Sequence, residues 1–385
     1  MSYFICPYCF TRNEEKDILY RCRSGYCKCP PEQDMVYMSY WKKSFNGNRA
    51  FPVKNASLQK KTACPDCGES TTIRICPTCH SELPHTFGSY QDETISVIGM
   101  KESGKTHYIA MLVKMFGTRI SEQFSVSMEI VHDEISKKFK ENYGANLDNK
   151  TIINETNSGK ANTEIRRPLI YKLAFRRKGF LGSKKLEVAT VSLFDNAGED
   201  LFFENNIRDV NKCIFNSTGI ILIIDPLQIP QVHEQLKIKG MSLPKVHGET
   251  KEMLSRVAKV IREQNNISED QLINTPIAIA LSKSDMLKDI IGEGNSMMFQ
   301  ESDHNGNLNK DEIISIHNEV ESFLRQWDDT GLLTQIKNNF KNYCFFGFTA
   351  LGTNPEKGTI RAFRPLRIED PFLWLLHKRN LVNMK

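Results

Sequence analysis

A chain of 385 residues is too long for one small domain, and 40% hydrophobic with 25% charged residues is the composition of a globular protein with a substantial core. No run approaches the roughly 18 apolar residues of a membrane-spanning helix, and the start MSYFICPYCF lacks a basic region followed by an apolar one; a cytoplasmic protein is expected. The formal net charge of +5 is too small to argue for a nucleic-acid partner by itself.

Residues 1–87 read as a cysteine-rich module. Nine of the eleven cysteines lie between Cys6 and Cys79, mostly as Cys-x-x-Cys pairs, whereas Cys213 and Cys344 stand alone in apolar surroundings. Disulfide frameworks do not need paired spacing; tetrahedral zinc sites do. Cys64-Pro-Asp-Cys67 and Cys76-Pro-Thr-Cys79 are two knuckles that a hairpin can close around one Zn²⁺. His80 could replace Cys79, although adjacency keeps both from binding together. Cys6 and Cys9 open a second site, completed by two of Cys22, Cys27 and Cys29; Cys22 and Cys27 are favoured, with Cys29 the competitor. The knuckles could also interleave between the two sites. A redox role would need a thioredoxin-like βαβ unit around the cysteines, and none is present. Residues 1–90 carry 12 Lys and Arg against 8 Asp and Glu, and eight thiolates on two zinc ions cancel that excess, which further disfavours nucleic acid.

After a linker at 88–94, a strand at 95–98 leads into Gly99-x-x-x-x-Gly104-Lys105-Thr106, and Ile109, Leu112, Val113 and Phe116 give the following helix its apolar stripe. Strand, glycine loop and helix in that order form a phosphate cradle. Amides from Glu102 and Ser103 through Gly104 and Lys105 face the β-phosphate at a helix N-terminus, Lys105 bridges the β- and γ-phosphates, and the Thr106 hydroxyl holds Mg²⁺.

The stretch 142–167 is polar and aperiodic and reads as a mobile loop. Strands at 169–175 and 186–194 follow, joined by the basic tip RRKGFLGSKK, which could touch a lipid surface, nucleic acid or a partner, or be a solvated turn. The second strand ends in Asp195-Asn-Ala-Gly198, an Asp-x-x-Gly element in which Asp195 holds Mg²⁺ and the Gly198 amide senses the γ-phosphate. Unbroken apolar runs at 219–225, 277–281 and 343–348 read as strands buried on both faces, separated by helical patterns at 249–264 and 312–326. The connection 226–248 reads as an insertion or partner surface. The run at 277–281 leads into Ser282-Lys283-Ser284-Asp285, whose aspartate can accept both guanine N1–H and the exocyclic amine, a donor pair adenine lacks; the Lys283 stem packs over the base. Thr349 and Ala350 match the small-residue loop whose amide meets guanine O6. The 303–312 stretch has an EF-hand flavour but places Leu308 at the sixth position and Ile314 at the twelfth; a polar turn before a helix fits better. PFLWLLHKRNLV closes the chain as a helix.

With CPYC…CPDC…CPTCH, VIGMKESGKTHYIAML, DNAGED, SKSD and EDPFLWLL in that order, the chain resembles the TRAFAC class of P-loop GTPases, and more narrowly the bacterial double-GTPases, some of which carry zinc ribbons ahead of the GTPase domain. The resemblance implies an α/β fold: a three-layer GTPase domain at 88–385 with a mostly parallel sheet, preceded by a two-zinc ribbon module. It also implies a regulatory switch of bacterial multi-gene conflict systems, loaded with GTP or GDP and Mg²⁺ and meeting protein partners through the zinc module and switch loops. Two departures stand out. Glu199 occupies the place of a water-orienting Gln, so slow hydrolysis is expected, aided by a partner or by Arg166, Arg167 or Arg208. The switch threonine is assigned to Thr156, with Thr151 and Thr163 as competitors. A nucleotide-binding scaffold with negligible turnover, and a zinc-ribbon nucleic-acid NTPase, are the alternatives.

Overall fold

Seven strands form one sheet: β1 (Gln91–Gly99), β2 (Val126–Ile130), β3 (Leu169–Lys178), β4 (Lys184–Asp195), β5 (Gly219–Ile224), β6 (Ile277–Leu281) and β7 (Tyr343–Gly347). Their order is β2-β3-β4-β1-β5-β6-β7. The β4-β1-β5-β6-β7 pairings are parallel, whereas β2 and β3 extend the β4 edge antiparallel. The computed structural model describes residues 2–23, 29–58, 61–131, 139–151, 153, 168–178, 184–195, 212–239, 243, 250–292, 294, 296–327, 331–353 and 359–385.

The central strands alternate between two cores because successive side chains leave opposite faces of a sheet. Ile221 and Ile223 of β5 and Ala278 and Ala280 of β6 pack on one side, with helices α1 (Lys105–Phe116) and α7 (Glu369–Lys378). Ile220, Leu222, Ile277 and Ile279 pack on the other, with α3 (Pro230–Ile238), α4 (Thr250–Asn265), α5 (Lys310–Trp327) and α6 (Leu332–Asn339). The short helix α2 (Arg119–Phe124) leads into β2. Burial on both faces is why these strands carry continuous apolar runs. The expected α/β fold with its mostly parallel sheet is the one observed.

Two local expectations need correction. Residues 91–94 are the first half of β1, paired with 189–192, and not linker. Their polarity hid the strand: Glu93 is buried because Arg379 bonds it at 2.9 Å, and Asp92 accepts the Gly88 amide at 2.8 Å. Strand β2 was not foreseen, because an edge strand with half its residues facing out has no apolar run. Within the expected 142–167 loop, 145–148 is a helical turn; 154–167 lies outside the described residues. Most of 240–249 and the hairpin tip 179–183 do as well.

Helix α7 is tied down by a buried ionic knot. Arg119 bonds Glu369 at 2.5 Å, and Arg367 bonds Asp370 at 3.1 Å and Glu312 at 3.4 Å. His304 donates from Nε2 to Asp370 at 3.0 Å while its Nδ1 accepts the Asn309 amide. The EF-hand-like stretch therefore wraps around a buried histidine.

Ahead of the sheet, Tyr3–Ile5 pairs with Arg12–Glu14, and Leu19–Arg21 pairs with Ala50–Pro52 and Arg74–Ile75. The helix Met35–Trp41 is capped by Asp34, whose Oδ1 accepts the Tyr37 amide. Cysteines supply much of the core between these small elements, alongside Phe4, Tyr20, Trp41 and Phe51. Such a segment buries too little apolar area to stand on side chains alone, which is the usual reason for a metal staple.

Candidate functional site: a phosphate loop, a base pocket and two cysteine tetrads

Strand β1 delivers the chain to Gly99. A Cβ there would lie 2.5 Å from the Ile223 carbonyl and 2.7 Å from Ser103 Oγ, so the position admits only glycine. The loop then turns through two left-handed residues, Glu102 at φ 61° and Gly104 at φ 89°, and α1 starts at Lys105. Lys105 is nearly buried; its ammonium donates to the Gly99 carbonyl at 2.9 Å and the Met100 carbonyl at 2.7 Å. Thr106 follows as the second residue of α1. The loop opens directly onto the N-terminus of α1, a setting that favours anions, while the Ser103 amide donates to the Met100 carbonyl at 3.3 Å.

Asp195 ends β4 beside Val97 of β1, next to this loop. Gly198, Glu199, Thr156, Thr163, Arg166, Arg167 and Arg208 lie outside the described residues. Thr151 is described; its hydroxyl donates to Asn146 and its backbone bridges Thr359.

The base-side loops leave the neighbouring strands. Lys283, at φ 50°, puts its ammonium 2.6 Å from Oδ2 of Asp225, the residue that ends the β5 run. Asp225 is buried, and its Oδ1 accepts the Leu227 amide at 3.0 Å. The Thr349 hydroxyl donates to Asp285 at 2.6 Å and accepts the Gly352 amide at 3.1 Å, joining the two loops. Ala350 is buried beside Thr349. Ser282 bonds the Ile224 carbonyl instead of reaching across the loops as an amide could. His107, on α1, accepts the Ile153 amide at Nε2; burial, with the Lys283 charge nearby, lowers its pKa to about 4 and keeps the ring neutral.

Two partners escaped the sequence reading: Asp225 and His107. Asp225 did carry a signal, a lone acid closing a fully apolar strand. His107 carried none, since its partner is the backbone of a residue 46 positions away.

The cysteines form two tetrads, and their pairing corrects the expected one. Cys6, Cys9, Cys76 and Cys79 lie together, as do Cys22, Cys29, Cys64 and Cys67, each set within 4.8 Å. The pairing is nested, outer knuckles with outer and inner with inner, so Cys64 and Cys67 do not share a site with Cys76 and Cys79. Cys29 takes the place expected for Cys27, which lies outside the described residues. His80 is not a ligand candidate; it bonds Asp34 at 2.8 Å. Sulfur separations of 3.8 Å in the outer tetrad and 3.5 and 3.6 Å in the inner one are far longer than a disulfide. They match the roughly 3.8 Å edge of a tetrahedron with zinc–sulfur bonds of about 2.3 Å. Both tetrads thus fit structural zinc.

The model of the Double-GTPase 2 family matches residues 93–327. A Mycolicibacterium smegmatis protein described as "Putative ESX-1 scaffolding and assembly protein SaeC" is 23% identical over 404 residues, covering 96% of this chain and 97% of that protein. Among solved structures, the GTP-bound S. cerevisiae Ski7 GTPase-like domain is 15% identical with a TM-score of 0.33, covering 77% of this chain. Sup35 complexed with GMPPNP is 12% identical with a TM-score of 0.23, covering 68%. The chain spans about half the length of the Ski7 structure.

Proposed function

We propose that this chain, which belongs to the Double-GTPase 2 family, is a regulatory switch that binds GTP with Mg²⁺, hydrolyses it slowly to GDP and phosphate, and passes its state to a protein partner. The observation that carries the reading is the paired base loop: Asp285 held by Thr349, and Lys283 held by Asp225, beside a glycine loop that opens a helix. Asp285 keeps lone pairs for guanine N1–H and the exocyclic amine, which selects GTP over ATP. Gly99, Glu102, Ser103 and Gly104 cradle the phosphates, Lys105 spans the β- and γ-phosphates, and Thr106 and Asp195 hold Mg²⁺, which offsets their charge. Glu199 stands where an uncharged water-orienting side chain would serve hydrolysis better, so turnover is slow without help. The zinc-fitted module at 1–87, ahead of a GTPase domain at 88–385, is the partner-facing part.

A second reading, a nucleotide-binding scaffold with negligible turnover, is favoured by the similarity to a protein described as a scaffolding and assembly factor along nearly its whole length. Assembly of a protein complex is the context that likeness supports; a bacterial defence system is the context the resemblance of the motifs supports. Calorimetry with GTP, GDP and ATP tests the base assignment, and preference for ATP would overturn it. Single-turnover hydrolysis by the wild type and by Lys105→Ala and Glu199→Gln separates switch from scaffold. Turnover abolished by Lys105→Ala supports the enzyme; tight binding with none in any form supports the scaffold.

A further inference from the structure

The two cysteine tetrads are chemically alike but sit differently on the sheet. The outer tetrad's first knuckle ends in Phe10, directly after Cys9. Its amide donates to the Cys6 carbonyl at 2.9 Å, and its backbone is left-handed at φ 52°, a conformation an aromatic residue rarely adopts unless its surroundings impose it. The ring, 2% exposed, leaves the module and packs edge-on against Phe194 at 5.3 Å. Cys213 and Ile5 complete that cluster, and the Phe10 carbonyl accepts Asn216 Nδ2 at 2.8 Å. Cys213 in turn touches β1, its sulfur 3.0 Å from Ser96 Oγ.

Phe194 immediately precedes Asp195, and Cys213 lies 14 residues after Glu199. One ring from the cysteine module therefore packs against the residue just before the Asp-x-x-Gly element, in a cluster shared with Cys213. Ile5, directly before Cys6, joins the same cluster, so both ends of the first knuckle reach it.

We infer that Phe10 is a positioning residue for Asp195: the outer cysteine tetrad fixes the knuckle, the knuckle fixes Phe10, and Phe10 fixes the end of β4 from which Asp195 meets Mg²⁺. The inference rests on the GTP·Mg²⁺ reading for the role of Asp195, but not for the clamp itself. A carboxylate that coordinates a cation must be held to a fraction of an ångström, and at Asp195 only β1 still pairs with β4, the β3 ladder having ended at Leu193. An aromatic wedge from the neighbouring module supplies that restraint. The module is then part of the nucleotide machinery as well as a partner surface, and its metal content sets how firmly Mg²⁺ is held.

The test uses the full chain loaded with zinc, comparing wild type with Phe10→Ala and with Phe10→Leu, which keeps most of the buried apolar volume. Variants are carried forward if they retain two zinc ions per chain. Two measurements follow: the Mg²⁺ concentration needed to slow release of a fluorescent GTP analogue, and amide hydrogen exchange across 184–195. Phe10→Ala is expected to need about tenfold more Mg²⁺ and to exchange about tenfold faster at the end of β4, with Phe10→Leu in between. Unchanged exchange and Mg²⁺ dependence with zinc retained would overturn the inference. Loss of zinc in both variants would also overturn it, because the knuckle would then depend on the ring and not the reverse. If the wild type binds no GTP, the functional reading fails while the exchange comparison still decides the clamp.

Discussion

Asp225 Oδ2 lies 2.6 Å from Lys283 Nζ, joining the ends of β5 and β6 by an ion pair whose acid is almost fully buried. The pair orients the lysine whose stem is assigned to the base. Asp225→Ala should lower stability by about 1–3 kcal/mol, the range for a buried charged hydrogen bond left unmade. Guanine-nucleotide affinity should fall with it, GTP and GDP equally, because the lesion is at the base and not at the phosphates. Urea melts and calorimetry check both; a loss confined to GTP would contradict the placement of Lys283.

Thr349 makes the equivalent link for Asp285 at 2.6 Å. Thr349→Val keeps the volume and removes the donor. Affinity for GTP should drop about tenfold while the weak affinity for ATP is unchanged, since adenine does not use this carboxylate. Parallel loss of both would show that Thr349 only supports the fold.

Asp92, where β1 begins, gives a pH prediction. Burial raises its pKa to about 7, only partly opposed by the Gly88 amide, the Thr190 hydroxyl and Arg74. The unfolded chain releases this proton near pH 3.9 and the folded chain near 7, so stability falls as pH rises between those values and is level above. Asp92→Asn, which can still accept from Gly88, should gain stability relative to the wild type between pH 4.5 and pH 8 by roughly 1–3 kcal/mol. Denaturant melts of the pair at the two pH values measure it; a variant with no relative gain between them would refute the protonated reading.

Zinc content distinguishes the cysteine assignments. The chain should hold two zinc ions, Cys29→Ser should hold one, and Cys27→Ser should still hold two. Metal analysis of purified protein decides this directly, and a Cys27→Ser protein with one zinc would return the inner site to the ligand set first expected.

What the chain made legible was whatever repeats a local chemical pattern. The glycine loop, the apolar runs of β5, β6 and β7, and the cysteine pairs each state their role within a few residues. Strand β2 and the first half of β1 did not, because their polar faces are satisfied by distant partners such as Arg379 on Glu93. The choice of Cys29 and the nested pairing were equally hidden: spacing within a knuckle is local, but which knuckles meet is decided by the small strands that carry them. Phe10 looked like one more aromatic in a cysteine module, and only the sheet against it reveals a use.

The nesting also bears on how the module is made. The outer tetrad ties residues 73 apart in sequence, the inner one residues as few as 35 apart. During synthesis the inner four cysteines emerge complete before Cys76 and Cys79 exist. Once the inner site closes, only the short spans 9–22 and 67–76 remain to be ordered for the outer one, which trims its loop-closure cost by about 1 kcal/mol. The saving is mutual, since the total cost does not depend on the order of closure, so only the order of synthesis favours the inner site first. The two tetrads are thus coupled through the shared spans 9–22 and 67–76: a chain holding metal only at the inner site would carry a finished inner module and a first knuckle, with Phe10, still unfixed.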